Sequence, residues 1–143
     1  WPYVYYGIYP DPSQLKLNPL KVEKALTHSR VPDLPVGSHT VPLGLLFHSG
    51  KNINPKYKNG AFIARRGGVS TSKLVGYDVI FIPFEDGYPT GEIEVFLSGF
   101  IADMAKGEIH GRPVGITEMN DGSILIADDV GGKIWRISYS EDN

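Results

Sequence analysis

Proline and glycine interrupt this chain so often that it has little room for a helix of normal length. Eleven prolines and seventeen glycines are spread through 143 residues. A proline removes a backbone donor and clashes with the preceding turn, and a glycine inside a helix costs backbone entropy. Between these interruptions lie short apolar runs. The longest, at 43–47 and 79–83, are about five residues, which is strand length and far below the roughly 20 that a membrane-spanning helix requires. The expectation is an all-β chain.

The texture changes along the sequence. Segment 1–39 carries Pro2, Pro10, Pro12, Pro19, Pro32 and Pro35 and reads as an irregular surface loop anchored by Trp1, Tyr3, Tyr5, Tyr6 and Tyr9. Only 19–28, with Leu20, Val22, Ala25 and Leu26 at an approximate helical spacing, has the composition of a short helix. From Thr40 onward, apolar runs alternate with turn residues at intervals typical of a sandwich, barrel or propeller. Seven strands are expected, at 41–47, 61–65, 77–83, 93–97, 114–118, 123–127 and 133–138. Asn120-Asp121-Gly122 supplies a tight hairpin turn between the fifth and sixth, and Val130-Gly131-Gly132 precedes the seventh. Propeller blades have four strands. The count therefore divides into a four-stranded blade at 40–100 and a three-stranded partial blade at 101–143, although a sandwich fits strand number alone.

Several classes of function are excluded by what the chain lacks. Fourteen basic residues against sixteen acidic ones, with neither sign gathered into a block, leave no electrostatic footprint for nucleic acid. With no cysteine, there is no disulfide framework, thiolate metal site or cysteine nucleophile. His28, His39, His48 and His110 have no metal-ligand spacing, and neither a phosphate loop nor a Gly-x-Ser-x-Gly elbow is present. Asp128 and Asp129 do not follow a calcium-loop pattern and read as turn-forming acids.

Three stretches in series carry a resemblance. They are Trp1-Pro2-Tyr3-Val4-Tyr5-Tyr6-Gly7, then His39-Thr40-Val41-Pro42-Leu43-Gly44 leading into Gly60-Ala61-Phe62-Ile63-Ala64, then Gly111-Arg112-Pro113-Val114-Gly115 running through Asp128-Asp129 to Ile134-Trp135-Arg136-Ile137. Together they resemble the family of PQQ-dependent soluble glucose and sorbosone dehydrogenases, over nearly the whole chain. The resemblance implies the C-terminal portion, about two blades, of a six-bladed β-propeller. Its central pocket would hold pyrroloquinoline quinone (PQQ), often with calcium, and would oxidise an aldose or a sugar aldehyde in a periplasmic or secreted setting. The family's catalytic histidine lies upstream of this stretch, so no residue here is given that role. Two departures stand out: Arg65-Arg66-Gly67-Gly68 replaces an acid and a histidine that relatives commonly carry, and Val4 stands where they often have cysteine.

PQQ bears three carboxylates, which call for forked cationic donors. Arg112, just before the strand expected innermost in the last blade, matches a family position associated with the cofactor, and Arg66 ends a strand beside Gly67-Gly68, whose backbone N–H groups offer an approach to an anion. His39 and His110 each precede an expected inner strand and are the candidate substrate contacts. The competing reading is a catalytically silent propeller that binds a glycan or a protein. In either case seven strands cannot close a ring. The expectation is a fragment completed by upstream blades or, as the alternative, by further copies of the chain.

Overall fold

The computed structural model describes residues 2–70 and 72–140. Trp1, the first aromatic of the opening motif, and residues 141–143, the end of the expected partial blade, lie outside the described residues. The chain divides into two compact units, one up to Pro35 and one from Val36.

The first unit holds a minimal hairpin, β1 (Val4–Tyr5) and β2 (Tyr9–Pro10), and two helices, α1 (Pro12–Leu17) and α2 (Pro19–His28). Asp11 starts α1: its carboxylate accepts from the N–H groups of Ser13 and Gln14, both at 2.9 Å, and Pro12 occupies the first helical position, where a missing N–H does no harm. Bonds from the Ser13 hydroxyl, the Gln14 N–H and the Tyr5 hydroxyl hold the Asp11 carboxyl at about 2. Gly7 has φ +75, and a Cβ there would lie 2.4 Å from the Arg30 carbonyl oxygen, so both the turn and the close approach require glycine.

The second unit is built of strands. One antiparallel sheet runs as a meander through β3 (Pro42–Phe47), β4 (Gly60–Arg65), β7 (Asp78–Glu85) and β9 (Glu94–Leu97), with β8 (Tyr88–Pro89) pairing the far end of β7. A small hairpin, β5 (Gly68–Ser70) with β6 (Lys73–Val75), is inserted between β4 and β7, and a 3-10 turn at Pro55–Tyr57 precedes β4. After the hairpin of β10 (Ile101–Asp103) and β11 (Glu108–Ile109), a second sheet follows, β12 (Pro113–Glu118), β13 (Ile124–Asp128) and β14 (Lys133–Ile137). The fold is therefore all-β, a propeller fragment in which the seven expected strands are β3, β4, β7, β9, β12, β13 and β14. The short hairpins are additions to that count.

Strand alternation decides which side chains meet between the sheets. Phe62 and Ala64 of β4, Val79 and Phe81 of β7, and Ile124 and Ile126 of β13 form the buried cluster with Ile53. Phe62 lies 5.0 Å from the Phe81 ring and 4.7 Å from Phe96, in tilted and edge-to-face geometry. The inner strands β3 and β12 come together at Gly44, where a Cβ would stand 2.5 Å from the Val114 carbonyl oxygen.

At the end of the sheets away from Arg65, the loop after β3 grips the turn between β12 and β13. The buried His48 ring bonds through Nε2 to the Gly122 carbonyl at 2.8 Å, and its Nδ1 accepts from the Gly50 N–H at 3.0 Å. Ser49 N–H donates to Glu118 at 2.8 Å and the Asn52 amide to the Asp121 carbonyl at 2.7 Å. Gly122, with φ +87, admits the Lys51 carbonyl where a Cβ would stand 2.0 Å away.

The opposite face of β3 is open, with Leu43, Leu45 and Phe47 59%, 61% and 57% exposed. Among the described residues no helix is long and apolar enough to cross a membrane.

Candidate functional site

Registers Pro42↔Arg65, Arg65↔Asp78 and Pro113↔Asp128 bring the start of β3, the end of β4, the start of β7, the start of β12 and the end of β13 to one end of the two sheets. Charged side chains converge there. The local frame is Asp128, which is buried and accepts from the N–H groups of Arg112 at 2.9 Å, Val130 at 3.2 Å and Gly131 at 2.7 Å, and from the indole Nε1 of Trp135 at 3.2 Å. Gly111 and Gly131 close over it: a Cβ on either would meet its Oδ2, at 2.1 Å and 2.5 Å. Burial opposes ionisation of Asp128, but the backbone and indole donors outweigh it and hold the carboxyl below its ordinary value.

The next residue, Asp129, points elsewhere. Its Oδ2 accepts from Nε of Arg66 at 2.9 Å and its Oδ1 from Nε of Arg112 at 2.8 Å, while its own N–H donates to the Arg112 carbonyl at 3.2 Å. One carboxylate thus joins the arginine that follows β4 of the first sheet to the one that precedes β12 of the second. Burial again opposes its ionisation, and the hydrogen bonds from Arg66 and Arg112 lower its pKa nonetheless. The two arginine side chains are 29% and 26% exposed, and their terminal NH2 groups have no acceptor among the described residues.

Arg65 contrasts with them. Its Nε and Nη2 bind both oxygens of Asp78, at 2.7 Å and 2.6 Å, and its Nη1 binds the Val36 carbonyl at 2.8 Å. Its donors face a buried carboxylate and a backbone carbonyl, so it serves the frame. The Gly67-Gly68 pair is also structural. Gly67 N–H donates to the Thr40 carbonyl at 2.9 Å, and Cβ atoms at the two positions would meet the Tyr77 ring at 2.3 Å and the His39 carbonyl oxygen at 2.5 Å. The Gly67 N–H is therefore committed, and the pair exists to let three loops pack closely.

His39 is exposed, with φ +59, in the loop whose residues Thr40 and Val41 bond the Gly67 and Arg66 N–H groups. His110 lies apart: with Phe100, Lys133 and Trp135 it lines a cavity of about 340 Å³, and no hydrogen bond joins its side chain to the arginine pair. Among the described residues, no three His, Asp or Glu side chains gather as a metal site.

The structure thus unites Arg66 and Arg112, while His110 lines a cavity to which neither arginine contributes. Asp129 is the member that residue-by-residue reading missed. The available signal was its place beside an acid at the end of a strand: neighbouring side chains there diverge, so one can be caged while the other reaches out.

Residues 21–140 match a protein-family model described as TrAA12-like. Among curated proteins, an "Uncharacterized protein" of Borreliella burgdorferi is 39% identical over 106 residues, covering 73% of this chain and 27% of that one. An iodide structure and a calcium structure of Trichoderma reesei Carbohydrate-Active Enzymes Family AA12 each align at a TM-score of 0.67 with 22% identity, over 82% of this chain and 29% of theirs. The holo form of the PQQ domain of pyranose dehydrogenase from Coprinopsis cinerea aligns at 0.60 with 20% identity, over 78% and 30%. At these identities the likeness to solved structures is one of fold. The chain spans only 27–30% of the length of these relatives.

Proposed function

Because the chain belongs to the TrAA12-like family, we propose that it forms part of a PQQ-dependent oxidoreductase acting on a sugar or sugar aldehyde, with Arg66 and Arg112 holding cofactor carboxylates. The observation that carries this reading is the arginine pair: two guanidinium groups, one from just after β4 and one from just before β12, share one carboxylate and keep their terminal NH2 groups available. That donor set suits the carboxylates of a planar polyanion. Similarity to a PQQ domain and to a carbohydrate-active family supports the choice of cofactor and substrate class.

When bound, the quinone supplies a two-electron acceptor. The work of this chain is to bind and orient it. His39, on the loop bonded to that of Arg66, is the substrate contact in this reading, and His110 would contact substrate only where the ligand extends to its separate cavity. Asp128 is committed to N–H donors and Asp129 to the arginines, so neither serves as a calcium ligand in this reading. The catalytic base and the remaining blades come from outside these residues, and the parent protein is periplasmic or secreted.

The test is a titration of the protein with PQQ, followed by absorbance, and then a dye-linked assay on aldoses. Micromolar binding is expected. A charge-assisted hydrogen bond contributes about 1.5–3 kcal/mol, so Arg112→Ala should weaken binding by roughly tenfold to a hundredfold. Absence of quinone binding at micromolar concentration would remove this reading and leave the catalytically silent propeller that binds a glycan or a protein.

A further inference from the structure

We propose that Asp129 is the positioning residue of the arginine pair: it grips Arg66 and Arg112 by their Nε atoms so that the terminal NH2 groups of both face one rigid polyanion together. This rests on the reading of Arg66 and Arg112 as a carboxylate-binding pair and adds a role that the pair alone does not explain.

The structure carries its own control. Arg65, which serves the frame, closes on its carboxylate as a fork, binding Asp78 through Nε and Nη2 at 2.7 Å and 2.6 Å. Asp129 is not closed upon in that way. Its two oxygens are divided between two arginines, each touching through Nε alone, at 2.9 Å and 2.8 Å. A guanidinium held at Nε is fixed in position while the donors at its far end stay free, which is what recognition of a second carboxylate requires. The grip is also stiff. Asp129 follows the caged Asp128 directly, and its N–H is tied to the Arg112 carbonyl at 3.2 Å. Two cations against one anion leave the cluster with one net positive charge, enough to favour an anionic ligand while reducing the repulsion between the arginines themselves.

Charge and position make opposite forecasts for one substitution. Asp129→Asn removes a negative charge from a cationic site, so an electrostatic role alone gives tighter anion binding. A positioning role gives weaker binding, because the amide can accept from one arginine while its NH2 repels the other. We expect the PQQ dissociation constant to rise tenfold or more in Asp129→Asn, and Asp129→Glu, which keeps the charge and both oxygens, to recover most of the loss.

Selective 15N-arginine labelling reads the geometry without ligand. The Nε–Hε resonances of Arg66 and Arg112 should shift together in Asp129→Asn, whereas that of Arg65 stays in place and shows that the fold is kept. Equal or tighter PQQ binding by Asp129→Asn, or unmoved Arg66 and Arg112 resonances, overturns the proposal. Wild-type protein that binds no PQQ but shows the coupled resonance shift would overturn the functional reading and leave the positioning role standing.

Discussion

Asp128 shows how much of the local order rests on a single side chain. It is 4% exposed and accepts from three backbone N–H groups and an indole, so its charge is held where water cannot replace the donors. Asp128→Asn would keep the shape but present an NH2 group to N–H donors. The expected loss is about 1.5–3 kcal/mol in urea unfolding, the range for hydrogen bonds to a charged group. The pH dependence follows from the direction of the shift. The folded pKa lies below the ordinary value of 3.8, so the contribution is complete above the unfolded value of about 3.9 and disappears as pH falls through the lower folded value. The melting temperature should therefore hold steady down to about pH 5 and drop below about pH 4. In Asp128→Asn the acid drop should be shallower; an unchanged acid profile would refute the assignment.

Among the elements, β7 carries the most burial, since Val79, Ile80, Phe81 and Ile82 are all nearly inaccessible and both its faces are covered. Phe62 of β4 is the centre of the packing against it, in ring contact with Tyr57, Phe81, Phe96 and His48. Phe62→Ala should cost about 3–5 kcal/mol, measured by the shift of the unfolding midpoint, because so enclosed a site cannot collapse on the void. Elements of this kind were legible in the sequence: alternating apolar residues between glycine-rich turns place β3, β4, β7, β9, β12, β13 and β14 within a few residues. The short hairpins β5–β6 and β10–β11 were not, because strands of two or three residues are set by tertiary contacts and leave no periodic signal. The helix α1 escaped notice although Asp11-Pro12 spelled its start. In the site, Arg66 and Arg112 were legible as cations at strand ends. Their union through Asp129 joins residues 63 positions apart, a separation that no local pattern encodes.

At the scale of the molecule, the open face of β3 and the outer edge of β14, unpaired among the described residues, are surfaces that water tolerates poorly. Leu43, Leu45 and Phe47 stand side by side on one, and Ile134, 72% exposed, lies on the other strand. Contiguous apolar surface and free strand edges promote association. The chain on its own should self-associate with concentration in light scattering, and Leu45→Lys should suppress this; a monodisperse monomer at all concentrations would contradict the expectation. In the parent protein the same surfaces are the seats we propose for neighbouring blades.

The two sheets are fastened at both ends, by the His48 loop on the Gly122 turn and by Asp129 between the arginines. A pair of plates pinned at one edge can hinge; pinned at two opposite edges it becomes a truss, and the angle between the plates is no longer free. Slack introduced at the His48 pin would reach the far edge as a change in the gap between Arg66 and Arg112. On the reading proposed above, the spacing of the two arginines would thereby be gauged from the opposite end of the two sheets, by a histidine that takes no part in holding them.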